Sequence, residues 1–120
     1  MSLKMKLRGM SVVLGVAAAG CASVPTPSDE LAQTESALRS AKELGAEQIP
    51  QAALELKLAQ DELQKARDLM KDDKNEEARQ ILLRSRADSE LALALTREGQ
   101  AMNDAQTARD QLKAVQQKVQ

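Results

Sequence analysis

"PQAALELKLAQDELQKARDLMKDDKNEEARQILL", from Pro50 to Leu83, holds two helical patterns and the break between them. Ala52, Leu56, Ala59, Leu63, Ala66 and Met70 recur at alternating steps of four and three, which lays one apolar seam along a helix. Leu54, Leu58 and Leu69 lie beside that seam and widen it, a breadth that calls for two neighbouring helices. Glu55, Asp61, Glu62, Lys65, Arg67 and Asp68 fall mostly on the other face. Pro50 disfavours helix at Ile49 and suits the first turn of a new one, so the spacing predicts a helix over 50–71. Lys71 to Lys74 is polar, and Asn75 is placed to cap a further helix whose first turn carries Glu76 and Glu77, favourable at the positive helix end.

Before this hairpin, "TPSD" reads as a helix start with Thr26 as N-cap and Pro27 in the first helical position. Leu31, Leu38, Ala41 and Leu44 follow at helical spacing and Gly45 suits termination, which predicts a first helix over 27–44. After the hairpin no proline occurs between Ala78 and Gln120. Ala87, Leu91, Ala94, Ala101, Ala105, Ala108, Leu112, Val115 and Val119 keep the four-three rhythm, with Glu98 interrupting it. A third helix is therefore expected over 75–118; at 1.5 Å per residue it is roughly 60 Å long and outruns the other two as an arm. Gly99 costs about 1 kcal/mol relative to alanine but does not by itself end the helix. The expected fold class is all-α: a helical hairpin or three-helix bundle with a long C-terminal helix, occupying residues 27–120. The pair from Pro50 to about Leu95 is weakly tetratricopeptide-like, but the aromatic and glycine positions of that repeat are missing.

The 120 residues leave room for one domain. Phe, Tyr, Trp and His are all absent, which removes aromatic platforms for bases, imidazole metal ligands and imidazole general bases together. Seventeen basic residues stand against 18 acidic ones, so no cationic excess points to nucleic acid.

The first 20 residues have a different character. Lys4, Lys6 and Arg8 form a positive start, and Met10 to Ala19 is an apolar run of about half the length a membrane-crossing helix needs. This is the layout of a secretory signal peptide over 1–20. Its removal lowers the basic count from 17 to 14 against 18 acidic residues, a net of −4. The single cysteine, Cys21, cannot form an internal bridge; it suits a small buried position, an intermolecular disulfide or a covalent attachment. Ala18-Ala19-Gly20-Cys21 resembles the lipobox of bacterial lipoproteins, with alanine at the position where leucine is commonest. The resemblance implies a diacylglycerol on the Cys21 thiol, cleavage before it, and acylation (a palmitate-type chain) of the new amino terminus. Two or three acyl chains give stable membrane binding where one is reversible. Ala22, in place of an aspartate, implies sorting to the outer membrane, facing the periplasm, and residues 21–26 read as the lipidated cysteine and a flexible tether.

"LAQTESALRSAKELGAEQIPQAALELKLAQDELQKARDLM" followed by "DDKNEEARQILLRSRADSELALAL" is similar to a bacterial lipoprotein family built on a domain of unknown function, DUF4398. Members of that family stand alone or ahead of an OmpA-like peptidoglycan-binding module. No such module follows here, so wall binding is not carried over.

Sites for chemistry are scarce. Asp73, Asn75 and Glu77 alternate as calcium ligands would, but Ala78 stands where the loop needs glycine and no closing glutamate follows, so no metal site is assigned. Carboxylates alternate with Lys and Arg as on solvated helix faces. Neither a phosphate loop nor a Gly-x-Ser-x-Gly turn is present, so neither catalytic residues nor a cofactor are expected. Arg79, Arg84, Arg86 and Arg97 give the third helix a cationic stretch, for which pairing with Asp72, Glu76, Asp88 and Glu90 is the simpler account. Two functions remain. One is a lipid-anchored adaptor that docks onto an envelope protein or peptidoglycan through its helical seam. The other is a coiled-coil spacer between outer membrane and cell wall, formed when the arm from Ala101 to Val119 self-associates into a homo-oligomer.

Overall fold

The computed structural model describes residues 23–119; the signal segment and Cys21 lie outside them. Three helices, α1 (Ser28–Glu43), α2 (Pro50–Lys71) and α3 (Asn75–Lys118), account for nearly all of the described chain, and no strand occurs among the described residues. The fold is all-α with a long C-terminal helix.

α2 and α3 form an antiparallel hairpin: Ala59 lies beside Ser85, and Ile49 at the foot of α2 lies against Gly99. α1 packs chiefly on α3 and runs parallel to it, with Glu30 beside Arg79, Thr34 beside Leu82 and Leu44 beside Gln100. The core is the strip where the three helices meet. Leu38, Leu56, Leu63 and Leu82 are its large side chains; Ala41, Ala46, Ala52, Ala59, Ala66 and Ala92 fill the rest.

The α2 seam is buried as its period dictates, from Ala52 through Ala66, with Met70 half-buried at its end. The widening residues differ: Leu54 and Leu58 face solvent, and only Leu69 is partly covered. A seam of alanines draws α3 so close that the flanking leucines are left outside the contact.

α3 corrects the sequence reading more deeply. Its buried line is Ala78, Leu82, Ser85, Ser89, Ala92 and Thr96, whereas Ala87, Leu91 and Ala94, the expected seam, are exposed. Positions two residues apart on a helix sit about 200° apart, so the expected and observed lines occupy opposite sides of α3. The inner line contains three hydroxyl residues that satisfy themselves on backbone. Ser85 Oγ donates to the Ala59 carbonyl of α2 at 2.6 Å, and Ser89 and Thr96 donate to carbonyls four residues back in α3. Thr34 on α1 does the same across helices: its hydroxyl lies 2.7 Å from the Glu30 carbonyl oxygen and 3.1 Å from that of Leu82. Small, locally satisfied side chains thus serve as core where backbones approach closely.

The caps also differ from expectation. α1 starts one residue later than "TPSD" implies: Pro27, its side chain buried, is the N-cap, and its carbonyl accepts the first helical hydrogen bond from Leu31. Asn75 is the first residue of α3 rather than its cap; its Nδ2 donates to the Val24 carbonyl at 2.9 Å and fastens the chain before α1 onto the α2–α3 turn. α1 ends as expected at Gly45, whose φ of 94° needs the left-handed region, and one unforeseen 3₁₀ turn, Ala46–Gln48, leads into Ile49. At the other turn Asp73 takes the left-handed role at φ 57°, while Asp73 and Lys74 donate to the carbonyls of Met70 and Leu69 and close the C-terminus of α2. Gly99 leaves α3 unbroken; a Cβ there would meet Ile49 Cδ1 at 2.9 Å, so its lack of a side chain makes room for the start of α2.

Candidate interaction surface

Cys21 and the residues before it, Ala18, Ala19 and Gly20, fall outside the described residues. Of the candidate calcium ligands, Asn75 gives its Nδ2 to Val24 while its Oδ1 has no partner, Asp73 gives its backbone to the turn, and no cluster able to hold a metal ion occurs among the described residues. No helix among the described residues is long and apolar enough to cross a membrane.

The arginines of α3 are mostly tied to carboxylates, as often along α3, to the expected Glu76 and Glu90, as across helices. Arg79 bridges Glu30 of α1 at 2.9 Å and Glu76 at 3.2 Å. Arg84 reaches Glu62 of α2 at 3.6 Å, and Arg86 pairs with Glu90 while donating to Gln33 of α1. Arg67 of α2 meets Glu35 of α1 at 2.7 Å over an open groove of about 440 Å³ floored by Leu38 and Leu63. Among the described residues Arg97 makes no ion pair. These pairs fasten the bundle and leave little free cationic character, although exposed pairs contribute only about 0–1 kcal/mol each.

Glu62 is the one carboxylate under strain. Its Oε2 is buried and finds no partner; burial first, and then the Asp88 carboxylate beside it, push its acid constant above the ordinary value of 4.5, with Arg84 opposing. The folded state therefore holds this proton more tightly than the unfolded chain, so stability falls as pH rises from 4.5 through the raised value. Glu62→Gln is expected to raise the melting temperature at pH 7 and to lose that advantage near pH 4. A variant that melts below the wild type at pH 7 would show that the Arg84 pair dominates. Asp68 shows the opposite shift, held below its ordinary value by hydrogen bonds from Lys71 and Gln64.

The outer side of α3 is the largest unclaimed feature. Leu83, Leu91, Met102, Leu112, Val115 and Val119 are all exposed, and every residue from Ala101 to Val119 faces solvent. Together with Ala87, Ala94, Ala101, Ala105 and Ala108 they form one face from Leu83 to Val119, its four-three line interrupted by Glu98. α3 thus carries two apolar faces on opposite sides, one consumed by α1 and α2 and one left open. The four-three rhythm in the sequence marks this open face; Leu83 and Met102 are its members not singled out by that rhythm.

An antiparallel hairpin with a parallel leading helix and a third helix that outruns both defines a class of extended all-α modules. A family model described as Domain of unknown function (DUF4398) matches residues 29–108, two thirds of the chain, covering α1 from its second residue, all of α2 and the proximal part of α3. The chain belongs to this family. Neither a curated protein nor a solved structure matches it.

Proposed function

We propose that this protein is a non-catalytic binding or adaptor module of the bacterial cell envelope, lipid-anchored at Cys21 in the outer membrane and facing the periplasm. The observation that carries the docking role is the open apolar face of α3, built at helical spacing and leading away from a bundle already closed by its inner face. A helix with no partner for such a face gains nothing from its regular leucines and valines; a partner that covers it does. The anchor is supported by Lys4, Lys6 and Arg8, the apolar run after them, and Ala18-Ala19-Gly20 before Cys21. The fold suits that anchor, because Asn75 holds the backbone at Val24 on the α2–α3 turn while the arm leaves from the opposite end of the bundle.

Cys21→Ser expressed in bacterial cells is expected to lose labelling by a fatty-acid probe and to move from the membrane to the soluble fraction. Undiminished labelling and retention in that variant would overturn the anchored reading.

A further inference from the structure

We propose that the open face of α3 is covered by a second copy of this chain, in a parallel, in-register two-stranded coiled coil running from Ala87 to Val119. The inward line of such a pair would be Ala87, Leu91, Ala94, Glu98, Ala101, Ala105, Ala108, Leu112, Val115 and Val119, spaced by four and three throughout. Each of these positions belongs to α3 or directly follows it, and all are exposed in the single chain. The inference rests on the reading of α3 as a docking surface, names a second copy of the chain as what that surface docks, and does not depend on the lipid.

Flanking charge is favourable in the parallel arrangement. In that register each flanking residue faces the one five positions further along in the other copy. Asp104 then faces Arg109 of the second copy, and Gln111 faces Gln116 of the second copy, each pair occurring twice by symmetry. On the inward line Glu98 meets Glu98 of the second copy, a like-charge contact that Arg97 of the second copy flanks and offsets. An antiparallel pairing centred on the arm sets Arg109 against Arg109 of the second copy but also Asp104 against Lys118 twice, so charge alone does not choose the direction.

Area favours the parallel direction. A parallel pair uses 33 residues of each helix, Ala87 to Val119, about 50 Å long and about 10 Å wide, or roughly 1,000 Å² over both copies before side-chain relief is counted. That reaches the size of about 1,000 Å² at which specific interfaces begin. An antiparallel pair overlaps only along the arms from Ala101, little more than half that length. Parallel pairing also places both α2–α3 turns, and the Val24 segments fastened to them, at one end, so two copies can be held by one surface. Alanine on much of the inward line makes the pair weaker than one built on leucine.

Cysteine trapping on the full chain carrying Cys21→Ser tests this, because the introduced thiol is then the only one. Val115→Cys and Ala101→Cys, each placed against itself in the parallel register, are expected to form disulfide dimers at least ~10-fold faster than Gln117→Cys on the outward side. Leu112→Glu is expected to weaken association in sedimentation equilibrium by ~10-fold or more, with the thermal melt of the bundle unchanged because the site is exposed. Asp104→Arg is expected to weaken association, and the double swap Asp104→Arg with Arg109→Asp to restore it. A monomer at ~100 µM would overturn the inference and leave the face to a different protein. Equal trapping of Val115→Cys and Gln117→Cys would overturn it as well. Either failure leaves the Cys21 anchor standing, and release of Cys21→Ser from the membrane leaves the dimer to be judged by trapping alone.

Discussion

Leu82→Ala is expected to destabilise the bundle by about 3 kcal/mol, a large fraction of the 5–15 kcal/mol typical of a whole domain. Leu82 is completely buried on α3, its carbonyl faces Thr34 of α1, and it is one of four large side chains in a core otherwise made of alanine and hydroxyl residues. No aromatic residue is available to collapse into the space left behind. At a urea dependence of about 1–3 kcal/mol per molar, the unfolding midpoint should fall by about 1–3 M. Leu112→Ala, the same change on the arm, should move the melt of the bundle by less than about 0.5 kcal/mol when measured at concentrations well below dimerisation. Equal losses at the two leucines would mean that the arm is packed into the domain.

The second large effect is expected at Ser85. Its hydroxyl donates to the Ala59 carbonyl at 2.6 Å, and both residues are fully buried where α2 and α3 are held close by small side chains. Ser85→Ala removes one neutral hydrogen bond and should cost about 1 kcal/mol, since the Ala59 carbonyl keeps the place of an ordinary helical acceptor. Ser85→Leu adds three carbons to a contact with no room for them and should cost about 3 kcal/mol, through displaced backbone or an unfavourable rotamer as well as the lost bond. Circular-dichroism melts of the two variants would settle the order. Leucine being tolerated better than alanine would show that burial of apolar area, and not close approach, governs this interface.

That contrast explains what was legible in the sequence and what was not. The α2 line from Ala52 to Ala66 could be read because it is apolar at every step, and the break before Asn75 because four polar residues interrupt two strong patterns. The core face of α3 could not, because Ser85, Ser89 and Thr96 score as polar until one sees that each hydroxyl is spent on a nearby carbonyl. Hydrophobicity alone favoured the outer line of Leu91, Leu112 and Val115, which is apolar for a different reason. The capping errors have a similar origin: Asn75 is a good N-cap residue by type, but a tertiary contact to Val24 claims its amide. Long-range pairs such as Arg79 with Glu30 and Arg84 with Glu62 leave no local mark, since their partners lie 49 and 22 positions away.

The unbroken course of α3 from Asn75 to Lys118 makes it a gauge as well as a surface. Each heptad removed from the arm would shorten its stand-off by about 10 Å while turning the remaining face by only about 20°, whereas excising two residues would swing that face to the far side. Length and azimuth are thus separately adjustable in a rod of this kind, so shortening in steps of seven can alter how wide a gap it spans without changing what it recognises.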